Sequence, residues 1–313
     1  MTLVLGRLAQ ATLTLFGALT IVFLSLRLTP GDPAQIMLGD YATPELVAAT
    51  RAQLGLDRPL PVQYLVFLQN TVTGNLGLSL AKKQDVSDII AGAWPYTATL
   101  ALASMVVTCA VGIPLGAIAA LKRNTLADFV AMVISLLGVA TPGFLMALLL
   151  IYVFSYWFGW FPVQGAGEGR GVLVGLHYLF LPAIALGFQS AALVARTTRS
   201  ALLSVLSEDY MRTARSKGLP ERLVVRVHAF RNALVPILAV LGLYLGQLLG
   251  GAAVAEIVFA RPGLGKLLVD SILLRDYPLS QALISVFLVG VIAVNLLTDV
   301  IYVLVDPRVS LTG

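Results

Sequence analysis

Two carboxylates lie inside stretches of this 313-residue chain that are apolar and long enough to cross a membrane. Glu256 is near the end of one stretch, and Asp299 is inside another. An ionisable side chain is costly to bury in lipid, so within a spanning helix it often lines the path of a polar solute. We therefore take both as candidates for a translocation pathway. The alternative is a structural role: Glu256 could pair with a base such as Arg261, and Asp299 could pair with an arginine or cap a helix.

The chain has few other side chains that could catalyse a reaction or hold a metal ion. His177 and His228, the only histidines, are separated by a predicted spanning segment. Cys109 is the single cysteine and lies in an apolar run, which excludes an internal disulfide and favours a packing role. Because no nucleophile, base and paired acid occur together, we predict no catalytic residue, no metal site and no enzyme activity.

The tetrapeptide Gly263-Leu264-Gly265-Lys266 is superficially similar to a phosphate-binding loop. The full motif needs a preceding strand and a hydroxyl residue directly after the lysine, whereas Leu267 follows here. The sequence thus predicts no nucleotide site and no cofactor on this chain. Any energy from ATP, with its magnesium, would have to come from a partner protein.

The composition requires a membrane. Hydrophobic residues make up 58% of the chain and charged residues 12%, whereas a soluble domain carries roughly 25% charged residues. Because a spanning helix needs about 20 apolar residues, we predict an all-α polytopic membrane protein with six transmembrane helices. The third contains Pro142-Gly143 and should be kinked or tilted there. The six predicted spans are 8–28, 96–121, 129–158, 177–195, 232–259 and 280–305.

The distribution of positive charge predicts the orientation. Twelve of the 21 Lys and Arg residues lie on one side if the N-terminus is inside, eight of them between residues 196 and 231. We predict that both termini are in the cytoplasm, that the chain lies in the inner (cytoplasmic) membrane, and that it has no nucleic-acid partner. A secretory signal over the first span is a weaker alternative, because that apolar run is long and no small-x-small cleavage site precedes Pro30.

The long outer segment 29–94 should be folded. Thr43 can cap a first helix that has Pro44 in its first position, and Gly55 can end that helix. Apolar residues at helical spacing predict a second helix over 60–70. This small layer could contact a soluble delivery protein or close the outer mouth, and the sequence favours neither.

Asp85 can cap a third short helix that runs through Ala91.

We divide the chain into two parts. Residues 1–95 contain the first transmembrane helix and an extracytoplasmic helical segment, and residues 96–313 form a five-helix core. The basic loop 196–231 belongs to the core and faces the cytoplasm.

The basic loop 196–231 has a helical pattern. Apolar residues recur every three or four positions at Leu202, Leu203, Leu206 and Tyr210. Gly218 should end the run, and Pro220 can open the next helix. A short helix ending at Gly218 would present Arg212, Arg215 and Lys217. Such a helix suits either a groove on a soluble protein or the surface of an anionic membrane.

Three glycines recur every four residues in the fifth span, at Gly242, Gly246 and Gly250. This spacing lets another helix approach closely. The partner helix could belong to this chain or to a second membrane subunit.

Eight segments, in order along nearly the whole chain, resemble those of the B-type permeases of dipeptide, oligopeptide and nickel ABC importers. They are TPGDP at 29–33, LGLDRP at 54–59, GNLGLS at 74–79, EDYMRTARSKGL at 208–219, HAFRNALVP at 228–236, PGLGKLL at 262–268, RDYP at 275–278 and DPR at 306–308. The resemblance implies the type I ABC importer permease fold. It also implies a coupling helix seated in an ATPase cleft, formed by Tyr210, Arg212, Thr213, Ala214, Arg215, Lys217, Gly218 and Leu219.

The general signature of such permeases begins Glu-Ala-Ala and has a glycine four residues after the last alanine. Here Arg212-Thr213-Ala214 stands in that place, with Gly218 four residues later. The leading glutamate is absent, so contacts of that acid cannot be transferred to this chain. Pro236 also lies farther from Gly218 than in the general signature, as it does in the peptide and nickel branch.

The resemblance further implies four kinds of partner: a second, homologous permease subunit, two ATPase subunits, an extracytoplasmic substrate-binding protein and the lipid bilayer. We expect import of short peptides by alternating access. The short outer segment 159–176 looks more like the nickel or metal-chelate branch, which is the alternative substrate. A stand-alone secondary transporter or channel is the rival from another class, although no convincing internal repeat is visible.

Overall fold

The computed structural model describes residues 2–28, 32–39, 42–79 and 81–305. Its first part contains α1 (Thr2–Leu28), α2 (Pro33–Leu38), α3 (Pro44–Gln53), α4 (Leu60–Thr73), β1 (Leu78–Ser79), β2 (Gln84–Asp85) and α5 (Val86–Val107). The two strands pair antiparallel, with Leu78 opposite Asp85. Apart from this strand pair, the regular structure in the described ranges is helical, as predicted.

The remaining elements continue the helical pattern. In order they are a π-helical turn Thr108–Gly112, α6 (Ile113–Leu121), α7 (Leu126–Ala140), α8 (Gly143–Leu150), a π-helical turn Ile151–Trp157, α9 (Val172–Leu206), α10 (Asp209–Ser216), α11 (Glu221–Leu223), a π-helical turn Val224–Ala229, α12 (Phe230–Val258), α13 (Leu264–Leu273) and α14 (Tyr277–Val305).

Four continuous helical stretches in the described residues are long and apolar enough to cross a membrane. They are Val86–Leu121, Val172–Leu206, Glu221–Val258 and Tyr277–Thr298. The apolar part of α1, Gln10–Ser25, is shorter. The count of six spans and the inward orientation of both termini stay predictions.

The predicted third span is sharply bent. Helix Leu126–Ala140 and helix Gly143–Trp157 meet at an angle of 107°, and Thr141 and Pro142 lie between them. The kink predicted at Pro142-Gly143 is therefore confirmed, because proline cannot donate a backbone hydrogen bond to the preceding turn. The two helices count as one further span only if the bent pair crosses as a unit.

The first two helices that the sequence predicts in segment 29–94 begin where expected. The hydroxyl of Thr43 accepts a hydrogen bond from the Leu46 amide at 3.3 Å, and Pro44 occupies the first helical position. Gly55, with a φ of +64°, follows the end of α3. The second predicted helix is α4.

The prediction of a separate third helix from Asp85 to Ala91 is wrong. Asp85 belongs to β2, and α5 starts at Val86 and continues without interruption to Val107. Pro95 lies inside α5 and does not end it. A proline removes only one hydrogen bond from a helix, and in a spanning helix neighbouring groups can compensate for that loss.

The residues form two compact units: 1–96 with 262–292, and 97–261 with 293–313. The predicted division after residue 95 therefore stays a prediction, because the first unit joins residues 1–96 to 262–292, which the sequence placed in the core.

In the first unit, Val86 of α5, Leu264 of α13 and Leu283 of α14 are buried in one apolar cluster. The Ser79 hydroxyl donates to Oδ2 of Asp276 at 2.5 Å, which fixes the strand pair to the turn before α14.

Helix α9 is the centre of the second unit. It packs against α6, α7, α8 and α12. The residues it buries are mostly small, among them Ala183, Ala185, Ala191, Ala192 and Ala195. Small side chains let helix backbones approach closely, so dispersion contacts can hold helices together where lipid removes the hydrophobic driving force.

Candidate coupling site

The chain turns away from α9 immediately before the candidate coupling helix. α9 ends at Leu206, and Glu208 has an extended backbone before α10 begins at Asp209. Tyr210 therefore does not share a helix with Leu202 and Leu206, contrary to the single helical face expected from their spacing. Ser207 explains the break: its hydroxyl donates to the Ser204 carbonyl at 2.7 Å, which competes with continued helix.

Helix α10 is held in place by two side chains of its inner face. Met211 and Ala214 are buried, three residues apart, in a cluster that includes Leu202 of α9 and Ile237 of α12. Complete burial of a methionine side chain contributes roughly 1.5–3 kcal/mol. The apolar pair therefore fixes a short polar helix on the end of the helical bundle.

The opposite face of α10 is exposed. Arg212, Thr213, Arg215 and Lys217 lie on it or at its end. Tyr210 is also largely exposed, and its hydroxyl accepts a hydrogen bond from Nδ2 of Asn232 at 2.9 Å. The same amide nitrogen lies 3.0 Å from the His228 carbonyl, so Asn232 links the start of α10 to the start of α12.

Gly218 reverses the chain after α10. Its φ is +76°, and its amide donates to the Arg215 carbonyl at 2.9 Å. Leu219 then packs against the same buried cluster as Met211. Pro220 precedes α11, one position earlier than the helical position predicted for it. A residue with a left-handed backbone is required at this turn, and glycine meets that requirement at the lowest cost.

Arg215 is bound within the chain. Its Nε and Nη2 atoms donate to the two carboxylate oxygens of Glu221 at 3.1 and 2.9 Å. These hydrogen bonds raise the pKa of the Arg215 guanidinium. Arg212 lies 3.6 Å from the Asp209 carboxylate on the surface of α10. Arg215 was one of three basic side chains expected to face a partner. The structure instead pairs it with Glu221 across the Gly218 turn, which stiffens that turn.

A further ion pair lies near the same end of α9. Arg199 donates to both carboxylate oxygens of Asp128 at 2.7 and 2.8 Å, and the amide of Asn124 donates to Asp128 at 3.0 Å. This pair joins α7 to α9. It was not predicted, because 71 residues separate the partners and no local spacing indicates the contact.

Glu256 is completely buried inside the second unit. Its Oε1 atom accepts a hydrogen bond from the Thr97 hydroxyl at 2.5 Å, and its carbonyl accepts one from the Arg261 amide at 2.8 Å. These contacts favour the structural alternative for Glu256, although its place in a pathway stays a prediction. The side chain of Asp299 lies outside the described residues, so its role also stays a prediction.

The three glycines of α12 have different surroundings. A Cβ atom added to Gly242 would overlap the side chain of Thr298, and one added to Gly246 would lie 3.1 Å from the Asn295 amide oxygen. Both contacts are with α14 of the same chain. A Cβ on Gly250 would meet nothing within 4 Å among the described atoms. Two glycines thus serve packing within the chain, and the third faces away from it.

The described residues contain no group of three His, Cys, Asp or Glu side chains that could hold a metal ion. His177 instead stacks on the ring of Phe161, with ring centroids 4.9 Å apart. The structure does assemble one anchored polar helix, α10, followed by a turn that the Arg215–Glu221 pair stiffens.

Comparison with known proteins identifies the family. Residues 112–311 match the family model described as binding-protein-dependent transport system inner membrane component, and residues 1–101 match the model for its N-terminal region. This chain belongs to that family. It is a permease subunit of an ABC importer in the inner membrane, and it is not an enzyme. The rival prediction of a stand-alone secondary transporter or channel is thereby set aside.

Full-length relatives agree with this assignment. The glutathione transport system permease protein GsiC of Escherichia coli O6:H1 is 44% identical over 306 residues, which is 98% of each chain. The protein of the same name from Escherichia coli K12 is 43% identical over the same share. The predicted resemblance to permeases of the peptide and nickel class is confirmed.

Solved structures show that the fold is that of ABC transporter permeases. A chain of the inward-facing MetNI methionine ABC transporter superposes with a TM-score of 0.59 at 17% identity, covering 70% of this chain and 96% of the other. A chain of an amino acid ABC transporter gives a TM-score of 0.54 at 18% identity, covering 69% and 94%. The predicted fold class is confirmed by these matches.

Proposed function

We propose that the importer served by this permease carries short peptides, with tripeptides of the glutathione type as its first candidate substrate. The support is the identity of 43–44% over 98% of both chains to permeases named for glutathione transport. This similarity favours peptides over the metal-chelate alternative. The binding protein would select the substrate, and the permease would provide the path.

The exposed face of α10 and the Gly218 turn are proposed to dock into a cleft of an ATPase subunit. The observation that supports this role is the anchoring of a helix with an exposed basic face by its buried residues Met211 and Ala214. Such a helix can transmit a push without being pulled from the bundle. The complete importer is proposed to contain a second homologous permease, two ATPase subunits that bind ATP and magnesium, and an extracytoplasmic binding protein.

Transport then follows alternating access. Shifting a two-state equilibrium from about 1:99 to 99:1 takes roughly 5.5 kcal/mol of differential binding. ATP binding at the ATPase subunits and docking of the loaded binding protein together supply this free energy. The permease contributes the inward-facing and outward-facing packings of its helices, and the coupling helix transmits the movement that converts one into the other.

Reconstitution tests the proposal. Proteoliposomes that contain the complete complex should accumulate labelled glutathione when the binding protein is outside and ATP is inside. The permease alone should accumulate nothing. Accumulation of a nickel chelate but not of any tripeptide by the complete complex would contradict the peptide assignment, and accumulation by the permease alone would contradict the coupling mechanism.

A further inference from the structure

The first compact unit contains a pocket of about 250 Å³ that the proposed mechanism does not use. Its walls are the C-terminal end of α1, the turn after α3, the helix α4, the segment before β1 and the first turns of α14. In the predicted orientation this is the extracytoplasmic end of the unit. Substrate released by a binding protein would therefore meet the pocket before the membrane.

The charge of the pocket has one sign. Arg27 and Arg58 line it, and its described lining residues include no aspartate or glutamate. In the described part of the chain Arg58 has no ion-pair partner. The other polar side chains are neutral: the amides are Gln53, Gln63, Asn70, Asn75 and Gln281, and the hydroxyls are Thr71, Tyr277 and Ser285. Guanidinium and amide N–H groups together form a site for an oxyanion.

Gln63 holds Arg27 in position for this role. The Nε2 atom of Gln63 donates to the Arg58 carbonyl at 2.8 Å and to the Leu56 carbonyl at 3.3 Å. Its Oε1 atom is thereby directed at Arg27, whose Nε donates to it at 2.9 Å. The Arg27 guanidinium also lies over the Phe23 ring, 5.0 Å from the centroid. A cation fixed in this way loses little conformational entropy when it binds an anion.

Gln281 provides the second observation that indicates a ligand. Gln281 lines the pocket, and its Nε2 atom is buried and has no hydrogen-bond partner among the described residues. An unsatisfied buried donor is destabilising, and native proteins contain only a few such groups per 100 residues. A change of the Gln281 rotamer would let this donor meet an acceptor group that enters the pocket.

We propose that the pocket binds the terminal carboxylate of a small peptide, with Arg58 and Gln281 as donors and Arg27 as a fixed positive charge. This inference rests on the proposed function, since it takes a short peptide as the substrate. Pockets that enclose a whole small molecule usually have volumes of about 300–1,000 Å³. A cavity of about 250 Å³ suits one end of a tripeptide and leaves the rest free to move towards the path.

The binding test uses the assembled complex of permease and ATPase subunits in nanodiscs of neutral lipid, without the binding protein. The probes are trialanine and trialanine amide, which differ only in the terminal carboxylate. We expect trialanine to bind at least about tenfold more tightly, because a hydrogen bond to a charged group contributes about 1.5 kcal/mol or more. Equal affinity for the acid and the amide would overturn the proposal.

Two substitutions of the same chemistry assign the effect to the pocket. Arg58→Gln should weaken trialanine binding about tenfold and leave the binding of the amide unchanged. Arg275→Gln removes one arginine from the same unit outside the pocket and should change neither. If both variants weaken trialanine binding equally, the effect is general electrostatics and the pocket is not the site. If phosphatidylglycerol in the nanodisc abolishes trialanine binding and itself binds in an Arg58-dependent way, the pocket holds a lipid phosphate and the proposal is wrong.

Gln281→Met gives a readout that a purely structural role would not produce. It removes the unsatisfied donor at nearly constant volume, so the melting temperature of the empty complex should rise while trialanine binding weakens. A fall in both quantities would mean that Gln281 supports the fold and does not bind the ligand.

Uptake measurements separate this inference from the proposed function. If the complete importer accumulates tripeptides but the permease complex binds trialanine and its amide equally, only the pocket assignment fails. If trialanine binds through Arg58 but no tripeptide is imported, the pocket stands and the peptide import assignment fails.

Discussion

Gly218 has a left-handed backbone in the turn that ends α10, and a Cβ atom there would touch nothing within 4 Å. Substitution therefore acts through backbone strain and not through a clash. Alanine in a left-handed conformation costs roughly 1–2 kcal/mol, and proline cannot adopt a positive φ at all. Asparagine tolerates this conformation and is the matched control.

We expect Gly218→Pro to abolish, and Gly218→Ala to reduce, the stimulation of ATP hydrolysis by loaded binding protein in the assembled complex. Gly218→Asn should retain most of it. The yield of membrane-inserted protein should be similar for all three variants, because the turn lies outside the spanning helices. Normal stimulation in Gly218→Pro would argue against coupling through this turn.

Ala214 and Thr213 are neighbours with opposite environments. Ala214 packs beside Met211 in the buried cluster, whereas Thr213 is exposed. A carboxylate at position 214 would have to be buried without a partner, which costs several kcal/mol. We expect Ala214→Asp to detach α10 and to abolish both ATPase stimulation and co-purification of the ATPase subunits.

Thr213→Asp is the control of equal charge. It should leave α10 anchored, so protease resistance of the loop 196–231 should be retained in this variant and lost in Ala214→Asp. Equal protease sensitivity of the two variants would mean that α10 is not held by its inner face.

At the scale of elements, the contacts of α12 with α14 distinguish the two interpretations of the glycine repeat. Gly242 is in close contact with Thr298, whereas Gly250 has open space beside it in the described structure. Gly242→Leu should therefore overpack the chain, at a cost of about 1–3 kcal/mol, and lower its melting temperature. Gly250→Leu should leave the melting temperature of the isolated permease unchanged and weaken its co-purification with a second permease subunit. An equal loss of stability in both variants would restrict the repeat to packing within the chain.

Local signals predicted the starts and ends of several elements. Thr43-Pro44 and Gly55 define α3 because capping and positive φ depend on a few adjacent residues. The bend at Pro142 follows from the missing amide of proline in the same way. The interruption between α9 and α10 was missed because apolar spacing continues across it, from Leu206 to Tyr210.

Contacts over long sequence separations could not be predicted. The bond from Thr97 to Glu256 spans 159 residues, and the Arg199–Asp128 pair spans 71. A carboxylate in an apolar stretch has the same local sequence whether it faces a path or a buried hydroxyl. The residues proposed for coupling could be predicted together because their motif is contiguous, whereas Glu221 and Asn232, which contact Arg215 and Tyr210, lie beyond it.

At the scale of the whole molecule, the orientation in the membrane is the prediction on which both proposed sites depend. Cys109 is the single native cysteine, so a Cys109→Ala background can carry one new cysteine at a time. A membrane-impermeant maleimide added outside intact cells should label Arg58→Cys and should not label Arg212→Cys. After permeabilisation both should react. The reverse pattern would place α10 outside the cell and exclude its docking to an ATPase.

Helix α9 runs without interruption through 35 residues, from Val172 to Leu206, and α10 follows after a two-residue break. At 1.5 Å per residue it is about 50 Å long. Because much of this length is packed through small side chains, we expect a force applied at α10 to tilt the helix together with its neighbours. A tilt of about 5° moves the far end of such a rod by about 4 Å. In the proposed mechanism, a rotation that starts at the docking site is thus transmitted to the opposite end of the helix.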